Sequence, residues 1–229
     1  MSDAEYYGYI SENYKRITEN VENAKATFGI RGKIRVMAVT KTVPCDKVNY
    51  AVSLGIDLVG ENRVQEFLQK YPLYEKKCEI HFIGGLQNNK VKYIIDKVSV
   101  IQSADNSKLI SEIDRRARIA DVMMDVLLEI NIGDEPGKNG VDTGRFFELL
   151  AETDGLENVR LRGLMTVPPI NAGESVYKDM RELFDGAKAK VKNPGIFDTL
   201  SMGMSGDYIM AIKHGANIIR IGSALFGSR

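Results

Sequence analysis

The sequence predicts an α/β fold: a (β/α)8 TIM barrel in a single domain over residues 1–229, with an extra helix ahead of the first strand. Eight short apolar runs alternate with stretches of helical periodicity, and strands alternating with helices imply a parallel sheet with right-handed crossovers. Eight such units in about 200 residues suit a compact barrel. The rival is an open doubly wound sheet, which favours a glycine fingerprint after its first strand. Here the first strand runs into Thr40-Lys41-Thr42-Val43-Pro44, without a glycine.

The elements follow in order. Residues 4–28 carry Ile10, Tyr14, Ile17, Val21, Ala24 and Phe28 at helical spacing, which predicts an amphipathic helix stopped before Gly29-Ile30-Arg31-Gly32. The first strand covers 34–39, and a helical pattern starts at Asp46. Strands at 57–60 and 80–84 precede helices from Asn62 and Asn88. Strands at 98–102 and 124–130 precede helices from Ser107 and Asp142. Strands at 159–165 and 197–201 precede helices from about Gly173 and from Ser205, and 216–222 is the eighth strand. Asp46, Asn88, Ser107, Asp142 and Ser205 are residue types that cap helix N-termini.

Composition excludes several function classes. Lys and Arg number 31 against 31 Asp and Glu, so formal net charge is zero. The densest basic pairs, Lys76-Lys77 and Arg115-Arg116, sit among acids and read as exposed helical faces. No nucleic-acid partner is expected, because phosphate binding leaves a basic excess or stripe. No apolar run approaches the roughly 20 residues that cross a bilayer, so no membrane partner is expected either. The acidic, aromatic opening MSDAEYYGYISENYKR is not a secretory signal. With Cys45 and Cys78 expected to be reduced thiols, a cytoplasmic location follows. Two histidines, His81 and His214, and no CxxC pair argue against a metal site.

Barrel chemistry belongs at the carboxyl ends of the strands. Lys41 closes the run VMAVTK, and a lysine partly desolvated at an apolar mouth favours its neutral amine. The alternative is a lysine that snorkels to water. After the seventh strand, Ser201-Met202-Gly203-Met204-Ser205-Gly206-Asp207 is a glycine-rich loop entering a helix, suited to an anion. After the eighth, Arg220-Ile221-Gly222-Ser223 forms a second donor-rich turn. Either loop alone is ordinary turn chemistry. Together, opposite Lys41, they fit a phosphorylated carbonyl ligand. Residues 133–139 fall one residue short of a P-loop, no GxSxG elbow occurs, and His81 reads as a core or pocket-edge histidine.

The stretches VMAVTKTVP (36–44), GENRVQE (60–66), HFIGGLQNNK (81–90), GLMTV (163–167), LSMGMSGDYIMAIKHGA (200–216) and IIRIGSALFG (218–227) resemble the pyridoxal-phosphate homeostasis proteins, relatives of the N-terminal barrel of alanine racemase. The resemblance covers nearly the whole chain. It implies pyridoxal 5′-phosphate as cofactor, with Lys41 as the lysine of the internal aldimine. It implies that Ser205, Gly206, Gly222 and Ser223 hold the phosphate and that Arg220 faces the pyridine nitrogen. Asn62 and Met165 would line the ring. The sequence departs from the family's pattern at Gly85, where a proline is common, and at Asn88, where a serine is.

An arginine keeps its proton, so one facing the pyridine nitrogen leaves that nitrogen an acceptor and the ring a weak electron sink. The racemases are similar only in the barrel; a further β domain supplies their second base. This chain ends at Arg229, which leaves no room for that domain, and no strand-end tyrosine offers a substitute. The expectation is therefore a carrier or buffer in vitamin B6 homeostasis, monomeric, with PLP-dependent apoenzymes as recipients. The alternative is a weak amino-acid racemase or a Schiff-base aldolase. Lys138 is a second lysine near the mouth.

Overall fold

Among the described residues, nine parallel strands form the sheet: β1 (Arg35–Val39), β2 (Leu58–Glu61), β3 (Glu79–Phe82), β4 (Val100–Ala104), β5 (Met124–Asn131), β6 (Val141–Asp142), β7 (Val159–Thr166), β8 (Thr199–Ser201) and β9 (Ile218–Ile221). Eight of them close a barrel in the order β1-β2-β3-β4-β5-β7-β8-β9, with β9 returning to β1 through Arg35 opposite Ile218. The two-residue β6 adds outside the ring, against Ile130 and Asn131 at the end of β5. The computed structural model describes residues 3–75 and 78–227, so the basic pair Lys76-Lys77 lies outside the described residues.

The strands are buried on both faces, which is why they appear as unbroken apolar runs rather than alternating ones; every residue of β5 is buried. The main core lies between sheet and helices, around Phe67, Phe82, Phe146 and Phe197. Two small clusters fill the lumen: Met37, Val39, Leu58, Ile83 and Ile218, then Val100, Leu127 and Met165. Below them, paired charges plug the amino end of the barrel. Arg35 bonds Glu79 at 2.6 Å, and Arg162 bonds Asp125 at 2.9 Å and Asp198 at 3.0 Å.

The helices are α1 (Asp3–Phe28), α2 (Cys45–Ser53), α3 (Val64–Lys70), α4 (Ser107–Ile119), α5 (Phe146–Asp154), α6 (Glu174–Lys188), α7 (Tyr208–Lys213) and α8 (Ser223–Phe226), with 3₁₀ turns at Tyr71–Leu73 and Asn88–Tyr93. The extra helix α1 buries Ile10 and Ile17 and packs on α2, α7 and α8. Its polar side chains reinforce that contact: Asn13 Nδ2 donates to the Leu225 carbonyl at 3.0 Å, and Asn20 Nδ2 to the Tyr208 hydroxyl at 2.9 Å.

Several helix starts differ from the sequence reading. Asn106, not Ser107, caps α4, its side chain accepting from the Leu109 N–H at 3.0 Å. The helix expected from Asp142 begins at Phe146, because Asp142 is taken by β6. The segment from Asn88 is a 3₁₀ turn. Asp46 and Ser205 do not hold the N-cap position of the helices that follow them: Pro44 precedes α2 and Asp207 precedes α7. Polar residues abound in these loops, and only the chain's path decides which one meets the free N–H groups.

Candidate functional site

A cavity of about 570 Å³ opens at the carboxyl ends of the strands, lined by Val39, Lys41, Asn62, Ile83, Val167, Met204, Ser205, Gly206, Arg220, Gly222 and Ser223. Seven of the eight residues singled out in the sequence meet here. The exception is Met165. It is fully buried in the lumen with Val100 and Leu127, and Val167, two residues on, lines the wall instead. The apolar walls Val39 and Ile83 were not anticipated. The period of two along a strand points to Val39, because Lys41 lies two residues further on. A smaller cavity of about 220 Å³ at the amino end holds charges already paired with one another, including Arg35 with Glu79 and Arg162 with Asp125.

Lys41 follows β1 in a tight turn and is exposed at the cavity wall, which agrees with the alternative of a lysine that reaches water. Met37 and Val39 of β1 turn their side chains into the lumen below, so the lysine stands at the rim rather than within the packing. The turn around it is held firmly. Thr40 is fully buried, and its hydroxyl donates to the Glu61 carboxylate at 2.8 Å. Glu61 also accepts from the Tyr74 hydroxyl, and burial pushes its pKa up. On the other side, Thr42 has φ of 61°, a left-handed conformation that costs a β-branched residue about 1–3 kcal/mol. Its N–H donates to Glu66 Oε1 at 2.6 Å. Burial works against the charge of Glu66, yet the Lys70 and Thr42 bonds hold its carboxyl below the usual range.

The loops after β8 and β9 face each other and are tied together by Ser205 Oγ, which accepts from the Ala224 N–H at 3.2 Å. Among the described residues, the backbone N–H groups of Ser205, Gly206, Gly222 and Ser223 donate to no protein acceptor. Four uncommitted donors thus belong to residues lining the same cavity, a composition suited to an anion. A Cβ on Gly206 would meet no protein atom within 4 Å, so open space adjoins the backbone there. Gly203 is different. At φ of +92° its Cβ would come within 2.5 Å of Ala211, and its carbonyl accepts from the Arg220 N–H at 2.9 Å, fixing the loop's course.

Arg220 forms part of the cavity wall with only 4% of its surface exposed. It donates to the Ser201 carbonyl at 2.8 Å, Ser201 Oγ at 2.9 Å and the Thr166 carbonyl at 2.7 Å. A guanidinium has five N–H bonds, so two remain for an occupant. Desolvation lowers its pKa to about 10, against the pull of Glu129 and Asp207, and it stays charged at neutral pH. Glu129, which faces the lumen from β5, was not assigned a role from sequence. Burial and the nearby Asp105 raise its pKa to about 7 against the lowering effect of Arg220, and its Oε2 has no partner among the described residues. The buried Oδ1 of Asn62 is also unpartnered.

His81 is a core residue, as expected. It is 2% exposed, held by Gln102 at 2.7 Å and Glu79 at 2.8 Å, and desolvation lowers its pKa. Lys138 does not line the cavity; it pairs with Glu135 at 3.0 Å. Gly85, where the resembled family often has proline, leaves room for the Asn139 side chain, which a Cβ would meet at 2.9 Å.

The chain matches the family described as alanine racemase, N-terminal domain, over residues 13–229. It is 41% identical over 225 residues to a pyridoxal phosphate homeostasis protein of Aquifex aeolicus, covering 95% of this chain and 97% of that one. Among solved structures, a protein described as unknown from Bifidobacterium adolescentis superposes with a TM-score of 0.90 at 28% identity, covering 99% of this chain and 97% of the other. PipY of Synechococcus elongatus, solved with PLP bound, superposes with a TM-score of 0.79 at 26% identity, covering 90% of this chain and all of PipY. With its closed barrel and near full-length similarity to these relatives, the chain belongs to the alanine racemase N-terminal domain family and, within it, to the pyridoxal phosphate homeostasis proteins.

Proposed function

We propose that this chain binds pyridoxal 5′-phosphate at the barrel mouth and acts as a carrier or buffer of that cofactor, attached through Lys41. One observation carries the reading: the exposed amine of Lys41, four uncommitted backbone N–H groups and the buried guanidinium of Arg220 share a single cavity of about 570 Å³. The residues fit the group. The nest after β8 and β9 takes the phosphate, Val39 and Ile83 offer apolar walls to the ring, and the unpartnered Asn62 Oδ1 offers an acceptor. Lys41 would hold the cofactor through its amine, and the cofactor would supply the aldehyde that receives it.

Arg220 favours holding over catalysis. Its free N–H groups would donate to a ring nitrogen and leave it unprotonated, so that the ring would be a weak electron sink. Lys41 and Arg220 are the titratable residues among those lining the cavity. Two-base racemisation needs proton-transfer groups on both faces of a substrate carbon, and Lys41 has no such counterpart there.

Borohydride reduction of the PLP-loaded protein, followed by peptide mass mapping, tests the reading. The expected result is a pyridoxyl-phosphate mass on the Lys41 peptide, absent in Lys41→Ala. No adduct would remove the cofactor from this site, and an adduct only on Lys138 would overturn the site assignment. Exchange of an amino acid's α-hydrogen in heavy water would favour the racemase. Transfer of bound PLP to a PLP-dependent apoenzyme, faster than from free solution at equal concentration, would support the carrier role.

A further inference from the structure

The turn that carries Lys41 is spanned by a closed ring of bonds from a helix that does not touch the cavity. Lys70 Nζ donates to the Thr40 carbonyl at 2.7 Å and to Glu66 Oε1 at 2.5 Å, and Glu66 Oε1 accepts from the Thr42 N–H at 2.6 Å. Glu66 and Lys70 are one helical turn apart on α3 and share a face. Both are largely buried, with side chains 19% and 11% exposed, so the pair is weakly screened by solvent. One residue before Lys41 and one after it are therefore anchored to the same ion pair.

Thr42, in its left-handed conformation, relaxes toward an ordinary one if that anchor is removed. The relaxation rotates the peptide that follows Lys41 and so redirects the lysine. An amine must meet a carbonyl carbon at close range, from above the carbonyl plane and at an obtuse angle to the C=O bond, and loss of such alignment slows addition. We propose that Glu66 and Lys70 form a positioning clamp that aims the Lys41 amine into the cavity. The proposal rests on Lys41 being the attachment point of the cofactor.

The test compares two ligands in Glu66→Ala and Glu66→Gln. Pyridoxal 5′-phosphate reports attachment, as the rate at which borohydride traps it on the Lys41 peptide. Pyridoxine 5′-phosphate, an alcohol in place of the aldehyde, reports the anion and ring subsites alone. Glu66→Ala leaves Lys70 bonded to Thr40 and 4.0 Å from Glu61, so no isolated buried charge results. Losing the charge-assisted bond to Thr42 is expected to slow Lys41 trapping by roughly tenfold, with pyridoxine 5′-phosphate binding as in the wild type. Glu66→Gln keeps an acceptor for the Thr42 N–H and is expected to regain most of the rate. Lys70→Met repeats the test from the other partner if Glu66→Ala does not fold.

An unchanged trapping rate in Glu66→Ala overturns the clamp. Equal weakening of both ligands also overturns it, since that marks a structural role alone. A wild-type protein that yields no Lys41 adduct defeats the reading of the cavity itself, and this shows before any variant is made.

Discussion

Replacing Glu129 with glutamine should stabilise the protein at alkaline pH and leave it nearly unchanged at acidic pH. Glu129 is 5% exposed, its Oε2 is unpartnered, and its pKa is raised from 4.5 to about 7, first by burial and then by Asp105, against the pull of Arg220. The unfolded chain gives up this proton at lower pH than the native protein does. Stability from this group is therefore greatest below the unfolded value, falls as pH rises from about 4.5 through about 7, and levels off above. The full loss is about 3 kcal/mol, of which about 2–3 kcal/mol falls between pH 5 and 8. Glutamine imitates the protonated carboxyl and removes this term. In a chain of this size that corresponds to about 5–10 °C. Thermal unfolding of both proteins at pH 5 and pH 8 measures it. If the gap between variant and wild type is the same at both pH values, Glu129 is not a carboxyl kept neutral by burial.

Three further outcomes follow from single residues. Arg220→Lys loses the fork that serves Ser201 and Thr166 together; a buried carbonyl then lacks its donor, and denaturant unfolding should show a loss of about 2–5 kcal/mol. Gly206→Ala places a Cβ in open space, so the unfolding temperature should hold. Pyridoxine 5′-phosphate affinity should still fall, by about tenfold or 1.4 kcal/mol in titration calorimetry, because the Cβ narrows the anion nest. Ile17→Ala empties a fully packed site on α1 and should cost about 2–5 kcal/mol in chemical denaturation. The same variant should weaken the phosphate analogue, since α1 braces α7 and α8 behind the nest.

The sequence by itself determined the barrel and most of its mouth. Strands buried on both faces leave apolar runs that no helical period explains, and their alternation with helices forces parallel crossovers. Strand ends in a barrel converge on one rim, so Lys41, Asn62, Ser205, Gly206, Arg220, Gly222 and Ser223 could be placed together from their positions along the chain. Tertiary structure decided what depends on distance and solvent. Met165 and Val167 lie on one strand and its extension, yet depth in the lumen buries the first and gives the cavity the second. Lys41 proved exposed because desolvation depends on what stands above the rim, which the strand's own residues do not encode. The Glu66–Lys70 clamp and the raised pKa of Glu129 were invisible for the same reason. An ion pair on a helix and a carboxylate in a strand look ordinary in sequence, and only the closed barrel fixes which backbone groups one meets and how little water reaches the other.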